Sequence, residues 1–429
     1  MTFSRKKRII NISNKCSRSS KGDESDVSLY ANTNWKINKN KAKGIKRHTK
    51  RQNKKSCPIG QLFSVPAYLR QKHTFSLFIS KMFYEVKIER NNNMGQVTKN
   101  SNLRKARTVK NDEFYTRLSD IEKELKHYLT HFKGKTVYCN CDDPKTSAFW
   151  QYFHINFSKL GLKKLFSTHY AANGISYIME YTGGNDSNIS IGVKHPLERE
   201  GDFRSIECQA LLDQCDIVAS NPPFSLFSEY ITTLLQHDKK FLIVGSKNSA
   251  TLPEVFLSLK ENMMWMGVNR ISTFITPSGE EKHFGNIGWY TNLEIAKRHR
   301  PLALTKHYDP ALYPRYGNYD AININRIADI PCDYFGAMGV PVTFWEVYDP
   351  EQFEVITLGS NKKLFTPTKH YEDLVRYDPD GKIMRNHIAC NQCLTIEYNE
   401  RPNTIYCQAS NSDKYLVVPY RRILIRRKQ

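Results

Sequence analysis

The chain has 429 residues, 40% of them hydrophobic, enough for one large domain or two ordinary ones with a sizeable core. No apolar run is long enough to span a bilayer, the N-terminus lacks a secretory leader's apolar stretch, and the ten cysteines are scattered, which sets aside membrane and disulfide-stapled classes and predicts a cytoplasmic protein. The net charge of +22 suggests a polyanionic partner, but residues 1–110 hold 27 Lys and Arg against 5 acids while residues 111–429 hold 37 of each sign, so a nucleic-acid face on the body would be a local patch.

Residues 1–55 are rich in Lys, Arg, Asn and Ser and poor in apolar side chains, a composition that does not fold by itself. They read either as a non-specific nucleic-acid arm or as a solvated tail. Residues 56–90 carry aromatics without a period and receive no assignment. Met94 then opens a short basic leader before the character changes at Asn111. Ser119 with Glu122 three residues on predicts a capped helix carrying Ile121, Leu125, Tyr128 and Leu129. Thr136 to Cys141 predicts a buried strand, broken by Asp142-Asp143-Pro144. Ser147 to Leu160 reads as helix, and Lys164 to Thr168 and Ile175 to Tyr181 as strands, the latter ending at the Gly183-Gly184 turn. Asp216 to Ser220 is a strand running into Asn-Pro-Pro-Phe, followed by a helix from Leu226 to Leu235 and a buried strand from Phe241 to Gly245. Strands alternating with helices predict an α/β fold with a doubly wound, mostly parallel sheet. After Asn292 the pattern turns irregular and richer in Pro, Tyr and Asn. The division expected is a basic extension (1–93), a catalytic core (94–294) and a C-terminal region (295–429).

Asn221-Pro222-Pro223-Phe224 carries the strongest chemical signal. Ligands of open α/β sheets sit beyond the carboxyl ends of strands. Two prolines fix the backbone there and remove two N–H groups, leaving the Pro222 carbonyl and the Asn221 side-chain oxygen to accept both hydrogens of one amino group. Drawing a planar amine toward tetrahedral geometry lets its nitrogen attack a sulfonium methyl without a strong base. The N6 amine of adenine is such a planar amine; Phe224 can stack on that nucleobase, which must leave a duplex to be reached.

The neighbours match in order: NDEFYT, VYCNCDDP, LGLKKL, GDFRS, DIVASNPPFSLF, FGNIGWYTNL and GVPVTFWEVYDPEQFEV. On these segments the chain from about Lys110 to its end resembles the EcoRI family of adenine-specific DNA methyltransferases, roughly three-quarters of its length. The resemblance implies a methyltransferase sheet followed by a target-recognition region, and S-adenosyl-L-methionine as cofactor. It implies that Phe114, Tyr115 and Thr116 line the cofactor's methionine end. Asn140, Asp142, Asp143 and Pro144 form the turn beneath it, and Asp202 and Phe203 flank its adenine. Asn221, Pro222, Pro223 and Phe224 hold the target adenine. The partner implied is double-stranded DNA, methylated by a monomer that forms no stable complex with a cognate nuclease. The turn after the first strand departs from the Gly-x-Gly of many methyltransferases. Thr168-His169-Tyr170 stands where a ribose-binding acid is usual, with Glu180 as the candidate on the next strand.

Two other readings remain: a glutamine-N5 methyltransferase acting on protein, since an amide amine suits the same tetrapeptide, and a non-catalytic nucleic-acid-binding protein driven by the basic N-terminal tail. Cys390-x-x-Cys393, with His387 and Cys407 nearby, offers one ligand pair where zinc sites usually show two, so no metal is expected. Lys297-Arg298-His299-Arg300 and Arg421-Arg422 with Arg426-Arg427-Lys428 could neutralise phosphates, and Asn323, Asn325 and Arg326 are residue types that read base edges.

Overall fold

The computed structural model describes residues 115–171, 174–276, 279–361, 363–385 and 389–429. The expectations for residues 1–114, Phe114 included, and for His387 fall outside them. A large sheet has the order β1 (Tyr115–Thr116), β8 (Trp265–Ile275), β9 (Glu281–Thr291), β7 (Lys240–Ser246), β6 (Ile217–Ser220), β2 (Thr136–Cys139), β3 (Lys164–His169), β4 (Tyr177–Tyr181), β5 (Val193–Pro196). The ladders β3–β2, β2–β6 and β6–β7 are parallel and the flanking ones antiparallel. Strands β2, β3, β5, β6, β7 and β8 therefore point one way, and β1, β4 and β9 the other.

The central strands are apolar on both faces, as strands covered from two sides must be. Val137 and Cys139 of β2, Ile217 and Ala219 of β6, and Leu242 and Val244 of β7 pack against α1 (Leu118–Leu125), α2 (Ala148–Ile155) and α3 (Phe157–Leu160). The intervening Tyr138, Val218, Phe241 and Ile243 pack against α4 (Ile206–Gln214), α5 (Phe227–Gln236) and α6 (Pro253–Lys260). Helices thus cover both faces, the doubly wound arrangement. The second cluster continues without a break into Met338 and Val340 of β11 (Met338–Pro341), Phe353 and Val355 of β12 (Phe353–Leu358) and Ile423 and Ile425 of β17 (Arg422–Arg427). These strands, with β10 (Ile322–Asn323), form a second sheet ordered β10-β11-β17-β12. A third sheet joins β13 (Val375–Tyr377), β15 (Tyr406–Ala409), β16 (Ser412–Val417) and β14 (Ile396–Tyr398).

Several local expectations need correction. Ser119 does not cap α1: the helix starts at Leu118, its N-cap is Arg117, and no side chain caps it. Arg117 instead pairs with Asp120 at 3.0 Å. Ile121, Leu125 and Tyr128 are buried, but Leu129 has turned outward in a 3-10 turn. Strand β2 ends at Cys139 rather than Cys141, because the next groups bond to side chains of other elements: Thr168 Oγ1 donates to Asn140 O at 2.9 Å, and Cys141 N–H donates to Ser220 Oγ at 3.1 Å. The helix expected from Ser147 to Leu160 breaks at Asn156.

The long pair β8–β9 closes the sheet beside β7. Its irregular register holds a bulge clamped by Glu124, fully buried on α1. Glu124 accepts the main-chain N–H of Val268 and of Asn269, both at 2.7 Å, and the Tyr128 hydroxyl at 2.7 Å. Gly267 must be glycine here, since a Cβ would lie 2.3 Å from Glu124 Oε1.

Candidate functional site

Parallel strands deliver their following loops to one edge, and the predicted residues collect there. Asn140 to Pro144 follows β2, His169 ends β3, and Asn221 to Phe224 follows β6. Strand β1 runs against β8, which sets Tyr115 opposite Ile275 and Thr116 opposite Phe274 at the same edge. The Phe274 ring stands edge-on to Phe224, centroids 6.5 Å apart. The segment Gly201-Asp202-Phe203 arrives over β3: Gly201 has φ +75°, and a Cβ on it would lie 2.7 Å from the His169 carbonyl oxygen. Ala171 N–H donates to Glu200 O at 3.0 Å, joining the same two loops.

Asp142 lies under this edge and is nearly buried. Its Oδ1 accepts from Ser147 Oγ at 2.8 Å; its Oδ2 accepts from Ser220 Oγ at 2.6 Å and from Asn221 N–H at 3.2 Å. Burial pushes its carboxyl above the usual aspartate range, and the donors from Ser220, Ser147 and Asn221 offset part of that rise. Ser147 also caps α2, accepting from Phe149 N–H at 3.1 Å. Asn140 is buried, its side-chain oxygen accepting from the Tyr230 hydroxyl. Asp143 faces the end of β3: its Oδ2 is 3.1 Å from His169 Nδ1, and its Oδ1 accepts from Tyr177 OH at 3.4 Å.

Asp202 is held by Arg204 and Phe203 by the Tyr230 ring, edge-on at 5.0 Å. Exposed side chains of Tyr170 and Ile175 sit on the flanking loops, and exposed Ile206 opens α4. Ser147, Ser220, Tyr230 and Tyr177 received no role from sequence reasoning, and His169 was noted only as standing where a ribose-binding acid is usual. For Ser147, Ser220 and Tyr177 the only signal was a polar residue at a strand end or helix start, which is common; Tyr230, inside α5, carried none.

Other candidates move away from the edge. Glu180 sits on β4 opposite Phe166, away from the edge where the other residues gather, and is bound by Lys164 at 2.7 Å. Asn323 is buried and accepts from Tyr316 OH at 2.8 Å and Arg422 Nε at 3.1 Å; its amide donates to Asn325 Oδ1 at 2.9 Å. Arg326 pairs with Asp329 at 2.8 Å. Most of the two basic clusters is engaged as well: Lys297 donates to Gly267 O at 2.9 Å, Arg298 lies 3.9 Å over the Trp265 ring, His299 pairs with Glu294, and Arg426 pairs with Glu354. Cys390 and Cys407 lie together in a buried cluster with Tyr371 and Leu416. Among the described residues Cys390, Cys393 and Cys407 do not gather into a set of three converging metal-ligand atoms.

An α/β sheet whose strands deliver an Asn-Pro-Pro-Phe loop and two acidic loops to a common edge defines a doubly wound α/β protein with a candidate ligand site at the carboxyl ends of its strands. The comparisons with known proteins narrow this class. The family model for the adenine-specific methyltransferase EcoRI matches residues 102–428. The chain is 45% identical over 298 residues to the Type II methyltransferase M.EcoRI of Escherichia coli, covering 61% of this chain and 90% of that one. It is 36% identical over 322 residues to the Type II methyltransferase M.MpnI of Mycoplasma pneumoniae, covering 70% and 98%. The Type II methyltransferase M.MgeORF184P of Mycoplasma genitalium is 37% identical over 289 residues, covering 60% and 86%. No solved structure matches. The chain belongs to the EcoRI family of adenine-specific methyltransferases, as its motifs predicted.

Proposed function

We propose that this enzyme methylates N6 of an adenine flipped out of a short sequence in duplex DNA, using S-adenosyl-L-methionine, and that it protects host DNA in a restriction–modification system. The observation that carries this reading is the place of Asn221-Pro222-Pro223-Phe224, directly after a buried parallel strand and at the edge shared with Thr116, Asp142 and Asp202. Asn221 and the Pro222 carbonyl grip the target amine, and Phe224 stacks on the base. The relatives' names as Type II methyltransferases support the restriction–modification setting.

The edge fits the cofactor. The Thr116 hydroxyl is buried and has no hydrogen-bond partner among the described residues, which suits a ligand group at the methionine end. The Asp202 carboxylate, held by Arg204, suits the cofactor's exocyclic amine, and exposed Tyr170 and Ile206 on the flanking segments suit its adenine ring. When bound, S-adenosyl-L-methionine supplies a methyl group on a sulfonium. The protein's part is to orient the amine and to keep water from the reacting atoms.

In this reading residues 94–294 form the catalytic core, 295–429 read the DNA sequence, and 1–93 add at most phosphate contacts. The enzyme acts as a monomer in the cytoplasm, without a stable nuclease complex. Among the described residues no helix is long and apolar enough to cross a membrane. The test offers tritiated cofactor to the enzyme with duplex DNA, RNA or a protein extract. Label recovered from DNA as N6-methyladenine is expected. Label in protein glutamine instead, or in neither nucleic acid, overturns the proposal.

A further inference from the structure

The turn after β2 and the loop after β6 meet at one buried carboxylate. We propose that Asp142 is a positioning residue for methyl transfer: it anchors the main chain of Asn221 and through it aims the target-gripping side chain, rather than binding the cofactor above its turn. The inference rests on the reading of Asn221 as the group that holds the target amine.

Both oxygens of Asp142 are already committed inside the protein, Oδ1 to Ser147 and Oδ2 to Ser220 and the Asn221 N–H. A cofactor group reaching this carboxylate would have to share oxygens already engaged in buried hydrogen bonds within the protein. The backbone of the loop explains why the anchor falls at Asn221. Pro222 and Pro223 have no N–H, so Asn221 carries the only main-chain donor between Ser220 and Phe224. A residue before proline is already confined to extended backbone. One hydrogen bond at its N–H then leaves little freedom in the direction of its side chain.

Ser220 completes the clamp. Its hydroxyl donates to Asp142 and accepts from Cys141 N–H at 3.1 Å, so the two loops hold each other. Ser147, on the other oxygen, starts α2. The end of β2, the end of β6 and the start of α2 are thereby registered by one side chain. Catalytic groups act within about 0.5 Å of a productive geometry, so slack at this point falls on the chemical step.

The experiment measures single-turnover methylation of unmethylated plasmid DNA, with the dissociation constants of S-adenosylhomocysteine and of the plasmid DNA, for Asp142→Asn, Ser220→Ala, Ser220→Thr and Asn221→Ala. The amide of Asp142→Asn keeps the size of the side chain but sets a donor or a neutral acceptor where the anchoring carboxylate was. Its rate is expected to fall on the order of 100-fold, with both dissociation constants within about 3-fold of wild type. Ser220→Ala should lose roughly 10-fold in rate, and Ser220→Thr, which keeps the hydroxyl, should recover most of it. Asp142→Asn combined with Ser220→Ala should be about as slow as Asp142→Asn alone, since both act through one link.

A roughly 10-fold weaker S-adenosylhomocysteine complex with a normal rate at saturating cofactor would make Asp142 a cofactor ligand and overturn the proposal. If Asp142→Asn does not fold, the two Ser220 variants decide: equal rates for alanine, threonine and serine overturn it. An active Asn221→Ala variant would remove the reading of the whole site. An inactive one beside a normal Asp142→Asn would remove this inference alone.

Discussion

Arg204 folds back onto Asp202: its main-chain N–H and its Nε both reach Oδ1 at 2.8 Å, and Nη2 reaches Oδ2 at 2.5 Å. The Arg204 hydrogen bonds hold the Asp202 carboxyl below the usual aspartate range, and the loop between β5 and α4 is set before any ligand arrives. Asp202 is thus kept ionised at the rim, beside a Phe203 ring fixed against Tyr230.

Replacing Asp202 with alanine should weaken cofactor binding. An exocyclic amine left without its acceptor costs roughly 1–3 kcal/mol, or about 5- to 150-fold in affinity. Arg204→Ala, which spares the carboxylate, should cost less. Calorimetry with S-adenosylhomocysteine measures both, and an unchanged constant for Asp202→Ala refutes the assignment.

The lowered Asp202 pKa also fixes a pH window. A carboxyl whose folded pKa is depressed keeps its contribution above the ordinary aspartate value, about 3.9, and loses it only as the pH falls through the lower folded value. The ratio of S-adenosylhomocysteine affinities between wild type and Asp202→Ala should therefore stay constant from about pH 8 to pH 5. A ratio that collapses toward one by pH 5 would show a carboxyl that protonates too early for this role.

Asn221→Ala should nearly abolish methyl transfer while leaving cofactor binding largely intact. Removing one aligned hydrogen-bonding group from such a site typically costs on the order of 100-fold or more in rate. Single-turnover kinetics on unmethylated plasmid DNA give the number, and near-normal turnover in a folded variant contradicts the central claim.

Glu124→Ala tests the fold apart from the site. The substitution strands the partly buried N–H groups of Val268 and Asn269 and the buried Tyr128 hydroxyl, and a loss of about 3–5 kcal/mol in stability is expected. Thermal and urea unfolding measure it. A loss under about 1 kcal/mol would mean that water satisfies the bulge as well as the carboxylate does.

A chain beginning at Met94 should be a complete enzyme. The family model begins at residue 102, and the core described here is built from Tyr115 onward. If the basic segment contacts phosphates, its removal should weaken binding to all DNA sequences about equally and reduce the salt dependence. Methylation by residues 94–429 and by the full chain, compared at several salt concentrations, tests this. An insoluble short form, or one inactive even at low salt, would place residues 1–93 in the working structure.

The amino-acid sequence by itself determined the features that depend on near neighbours. Apolar runs bounded by turn residues marked β2, β3, β6 and β7, and two prolines after Ser220 announced a loop with its N–H groups removed. The family was legible for the same reason, since its motifs are short and contiguous. Tertiary structure alone decided where the polar side chains point. Asp142 is 78 residues from Ser220, and Arg422 is 99 from Asn323; nothing local says that the first carboxylate turns inward or that a presumed base reader is spent inside the core. Strand direction was hidden as well: an alternating or apolar run is the same whether its neighbour runs parallel or antiparallel, so β4 and β9 could be placed only by the chain's return. Hydrophobic period and turn chemistry act over a few residues. A hydrogen bond between buried groups depends on which distant partner the topology brings within about 3 Å.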